Sequence, residues 1–64
     1  MFESVEAFHK WERQELGRMT DKEVVAYHNI CMMSLSCIMS EEDRAKTERH
    51  LGFMKEIVQE RDLA

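Results

Sequence analysis

The sequence predicts an all-α protein of three helices, over about residues 3–16, 21–37 and 41–61, the last two folded back as an antiparallel hairpin. Three observations predict it. The 64 residues contain no proline, and the only glycines are Gly17 and Gly52. Six methionines and an abundance of Glu, Lys and Arg favour helix over strand. Finally, Thr20 and Ser40 each stand just before a group of acids, the pattern that opens a helix.

The first helix is expected from about Glu3 to Leu16, with Ser4 as a candidate cap. Phe2, Val5, Phe8 and Trp11 recur every three residues and form an aromatic stripe, while Lys10, Glu12, Arg13 and Glu15 cover much of the remaining surface. Phe8 and Trp11 are expected to close the core over the hairpin; the alternative is an anchor pair in a partner's groove. Gly17 stands where a helix would end on a left-handed residue.

The second helix opens at residue 21 with the strongest local signal in the chain. Thr20 can accept from the Glu23 backbone N–H while Glu23 reaches back to that of Thr20, a capping box, and Met19 and Val24 are placed as a hydrophobic staple. Between Val24 and Met39 there is not one Lys, Arg, Asp or Glu. Val24, Tyr27, His28, Cys31, Leu35 and Ile38 fall on one face, Val25, Met32 and Met39 on a second, Ile30, Met33 and Cys37 on a third. A helix apolar on several sides must be buried on several sides, so the surface left over by two neighbouring helices calls for a second subunit or another partner.

Ser40 caps the third helix, and Glu41, Glu42 and Asp43 fill its first turn. Its apolar stripe is Leu51, Met54, Ile57 and Val58, with Phe53 to one side and Ala45 and Thr47 near the start. Mid-helix Gly52 costs roughly 1 kcal/mol relative to Ala, which close packing of another helix would justify. The hairpin requires the second helix to end near Ser36 or Cys37; the rival is one helix from residue 21 to 61, about 60 Å long.

These elements suit one small helical domain over residues 1–64, with so little core that oligomerisation is expected to support it. The N-terminus has early acids and no continuous apolar run, so it does not read as a signal peptide. Cys31 and Cys37 fall on different helix faces and read as reduced thiols, which places the protein in the cytoplasm. The uncharged stretch is too short to span a membrane and holds His28, Asn29, Ser34 and Ser36.

No cofactor is expected. Metal binding is an alternative, with His28 and Cys31 on one helical face and Cys37 and His50 approaching from elsewhere, but no Cys-x-x-Cys pair exists and a buried Cys acts as a small hydrophobe. Glu6 and His9 match a di-iron spacing that occurs once where two copies are needed. His28–Cys31 is the only local nucleophile–base pair and no glycine-rich loop accompanies it, so no enzyme activity is expected. Nine basic residues alternate with thirteen acids for a net charge of −4, which argues against a grip on phosphate backbones. A nucleic-acid-binding regulator using Arg44, Lys46 or Arg49 is the second alternative, opposed by the acids that open the third helix.

In size and presumed architecture the chain is similar to the Rop family of plasmid copy-number regulators; no motif is shared, so the likeness carries no site residue and no function. The expectation is a small regulatory or adaptor protein of bacterial, phage or plasmid type. It would act as a homodimer that binds another protein through apolar helix faces, with Phe8, Trp11, Val25, Met32, Met33 and Met39 as candidate contacts.

Overall fold

The computed structural model describes residues 2–63 and contains three helices, α1 (Val5–Leu16), α2 (Asp21–Ser34) and α3 (Glu41–Glu60), with no strand among the described residues. Most inter-helix contacts join α2 to α3, which form the helical hairpin, and α1 packs more lightly on α3. The uninterrupted rod from 21 to 61 is therefore not formed.

Each helix start has a local cause. Ser4, in extended backbone, accepts a hydrogen bond from the Ala7 N–H at 3.1 Å. At Thr20 both halves of the capping box are made: the Glu23 N–H donates to Thr20 Oγ1 at 3.2 Å and the Thr20 N–H to Glu23 Oε1 at 2.8 Å. Ser40 accepts from the Asp43 N–H at 3.1 Å, and the three acids of that first turn face the positive end of the helix dipole.

The helix ends follow a different logic. Gly17 does not adopt the expected left-handed conformation; it sits at φ −69°, ψ −9°, and its N–H donates to Arg13 O. The carbonyls of this turn are satisfied from 42 and 44 residues away. The Arg61 guanidinium donates to Gly17 O at 2.8 Å, to Met19 O at 2.7 Å and to the Asp21 carboxylate at 3.0 Å. The left-handed residue is Asp62, at φ 56°. There Leu63 N–H reaches Val58 O at 3.0 Å and Asp62 N–H reaches Gln59 O at 3.2 Å, the paired bonds of a Schellman ending, with Leu63 and Val58 both packed on the core.

α2 ends at Ser34, three residues before the expected boundary at 37, and the connection runs from Leu35 to Ser40. Ser36 Oγ donates to Met33 O at 2.6 Å, and its own N–H reaches the same carbonyl. A side-chain hydroxyl that captures a carbonyl of the last turn offers the backbone an alternative to continuing the helix.

The core lies where the end of α1, the start of α2 and the end of α3 converge: Leu16, Val24, Met54 and Ile57, ringed by Met19, Tyr27, Phe53, Val58 and Leu63. Burial of each such side chain contributes about 1.5–3 kcal/mol. Phe8 and Trp11 do not close this core. α1 enters it through Leu16, and Trp11 is left 45% exposed. Nor does a helix pack against Gly52, where a Cβ would meet nothing within 4 Å.

Candidate functional site

Two features separate this chain from a minimal hairpin: a buried polar relay between the helices and an apolar surface outside them. The relay begins at Glu12, which is buried although the sequence suggests a surface residue. Its carboxylate accepts from Arg49 Nε at 2.9 Å, from Arg49 Nη2 at 3.2 Å, and pairs with His50 Nε2 at 2.8 Å. On the other side of the ring, His50 Nδ1 lies 2.7 Å from the Tyr27 hydroxyl. One chain of hydrogen bonds thus joins α1, α3 and α2.

The relay is satisfied in either state of its imidazole. In the neutral ring Nε2–H donates to Glu12 and Nδ1 accepts from the Tyr27 O–H; in the cation the hydroxyl accepts instead. Burial pushes the Glu12 carboxyl up, but the hydrogen bonds and charges of Arg49 and His50 outweigh it and leave its pKa below the ordinary value of 4.5. Burial first, then the neighbouring Cys31 thiol and the Glu12 charge, push Tyr27 up to about 12. Burial also raises Cys31, against the opposing hydrogen bond from Tyr27. The groups at the end of the relay therefore hold their protons tightly, the reverse of what activates a nucleophile.

A spacing signal for the relay exists. Phe8, Glu12 and Leu16 lie four apart on one stripe of α1, so the helix face that turns Leu16 into the core carries Glu12 with it. His50 is likewise followed by Met54 and Ile57, the two most deeply buried residues of α3.

The apolar surface has two parts. On α2, Val25, Ile30, Met32 and Met33 are exposed, Met33 to 70%, and Ile38 follows in the connection. Val25, Ile30, Met32 and Met33 come from the outer two of the three faces read from the sequence; the first turns Val24, Tyr27 and Cys31 inward, but Ile38, read on that same face, lies beyond the helix end and is exposed. Phe8 and Trp11 of α1, with Phe2 ahead of the helix, form an aromatic patch with ring centroids 5.1–6.2 Å apart, and the Arg49 guanidinium lies 6.0 Å from the Phe8 ring. Met39 is half-buried and lines an open cleft together with Ile30 of the α2 patch, Tyr27, Cys31, Asp43 and Lys46.

The other candidates are dispersed. Among the described residues no three His, Cys, Asp or Glu side chains stand together as a metal site. His28 is half-buried, Cys31 is buried beside Tyr27, Cys37 is exposed in the connection, and His50 is engaged in the relay. Of the basic residues, Arg49 is tied to Glu12 and Arg44 Nη1 lies 3.5 Å from Leu35 O. No described helix is long and apolar enough to cross a membrane. No family model matches the chain, and neither the curated proteins nor the solved structures contain a significant match to it.

Proposed function

We propose that this protein is a non-enzymatic interaction module, a homodimer that binds another protein through its apolar helix surfaces in a reducing cytoplasm. The observation that carries the reading is the division of its side chains. The buried polar groups are spent on one another in the Glu12–Arg49–His50–Tyr27 relay, whereas Phe2, Trp11, Val25, Ile30, Met32 and Met33 face outward. Exposed large hydrophobics grouped into two patches mark protein contact, and Trp is the residue type most enriched at binding hot spots. A small regulator or adaptor of the bacterial, phage or plasmid kind works in this way.

The test is affinity capture from source-cell extract at low and high salt, with binding then reconstituted from the purified partner. The reading expects a protein partner retained at high salt and lost on Trp11→Ala, a substitution at a half-exposed site that leaves the helical circular dichroism intact. Random-sequence DNA or RNA bound at low salt, released steeply as salt rises, and lost on Arg44→Ala or Lys46→Ala would overturn it.

A further inference from the structure

We propose that the outer face of α2 is the seat of a second copy of this chain, paired antiparallel about a two-fold axis at Asn29. The proposal rests on the homodimer reading above and names the surface and register it uses.

Surface area supplies the first argument. A compact monomer of 7.7 kDa exposes about 4,300 Å². This chain exposes 5019 Å². The excess, about 700 Å², is close to the roughly 800 Å² that one partner contributes to a standard interface. Shape agrees. The radius of gyration is 12.2 Å, against about 10.7 Å for a compact chain of this length, and one dimension is 14 Å where the others are 32 and 29 Å. The molecule is a thin slab, whereas domains are ordinarily built of two packed layers.

The pattern on α2 supplies the second. Lys22, Val25 and Ala26, Asn29, then Met32 and Met33 recur at alternating steps of three and four, all of them exposed. That is the seam of a helix pair, and its midpoint is the polar residue Asn29. With the axis there, Val25 opposes Met33, small Ala26 opposes Met32, and Lys22 reaches the end of the partner's α2. Each large side chain meets a smaller one, and the two Asn29 amides meet each other, able to donate and accept in turn. A single polar residue within an apolar seam is a known means of fixing register.

Charge supplies the third and selects a second copy over a different partner. A two-fold contact sets a surface against itself, so any net charge on it would be repelled. The chain carries −4 overall, yet from Val24 through Met39 it carries no charged residue. Lys22, the one charge on the seam, would lie beside the partner's α2 C-terminus, whose last turn has no basic residue of its own.

The test combines sedimentation equilibrium of the full chain with cysteine cross-linking. Wild type should be dimeric, and Met33→Glu should weaken association on the order of a hundredfold or more while leaving the helical circular dichroism unchanged, since Met33 is largely exposed within one chain. In a Cys37→Ser background, oxidation should link Asn29→Cys chains to each other and leave Lys22→Cys chains unlinked, because only position 29 faces itself. Linking of both variants would indicate a parallel pair and overturn the register. A monomeric wild type, or a dimer indifferent to Met33→Glu, would overturn the proposal itself. The capture experiment with Trp11→Ala reads a different surface, so partner binding that survives a monomeric result separates the two conclusions.

Discussion

Glu12 shows how much one buried side chain can hold in this protein. Its carboxylate receives two bonds from Arg49 and one from His50, and it lies where α1 meets α3. Replacing it by Gln keeps the shape but leaves Arg49 short of its counter-charge. The expected loss is about 3 kcal/mol, most of what a chain this small has, since such cores rarely supply more than about 3–5 kcal/mol. Urea unfolding of Glu12→Gln measures it; a change within experimental error would mean that the relay is decorative. The pH dependence has a definite sign. The folded pKa of Glu12 is held below its ordinary 4.5, so its stabilisation is complete above pH 4.5 and is lost as pH falls through the lower folded value. Stability of the wild type should therefore fall below pH 4.5 more steeply than that of Glu12→Gln. Glu23, whose pKa the Thr20 backbone hydrogen bond also lowers, is present in both proteins and cancels from the comparison.

At the scale of the elements, what was legible in the sequence was local. Helix starts are written in a few consecutive residues, and Thr20–Glu23 and Ser40–Asp43 specify their caps without help from the rest of the chain. The three inner residues of α2 follow from periodicity in the same way. What was not legible depends on distant partners. The turn at Gly17 needs no left-handed glycine because Arg61 arrives to bond its carbonyls, and nothing near residue 17 announces an arginine 44 positions later. The inward turn of Glu12 likewise depends on Arg49 and His50. Gly52 illustrates the opposite case, a residue whose local penalty is not offset by any neighbour in the chain. A methyl group added there meets nothing within 4 Å, so Gly52→Ala should stabilise the protein by about 1 kcal/mol through helix propensity alone. Thermal unfolding checks it; a loss of stability instead would show that another chain packs against this side of α3.

For the whole molecule, the central question is whether the folded unit is one chain or two. Few hydrophobic side chains are fully buried, the radius of gyration exceeds that of a compact chain of this length, and several large apolar side chains remain outside. If the α2 seam is closed by a second copy, unfolding becomes a dissociation, and its midpoint must depend on protein concentration. A tenfold rise in concentration favours the dimer by about 1.4 kcal/mol. Unfolding two 64-residue chains releases an entropy of about 0.27 kcal/mol/K. The quotient gives a rise in Tm of about 5 °C for each tenfold increase in concentration. Met33→Glu should unfold at a lower temperature and with no such slope, because its unfolding is then an event within one chain. Differential scanning calorimetry over two decades of concentration makes the comparison. A flat wild-type midpoint would mean that α1, the hairpin and the Glu12 relay sustain the fold unaided, and that the outer face of α2 is left for a different protein.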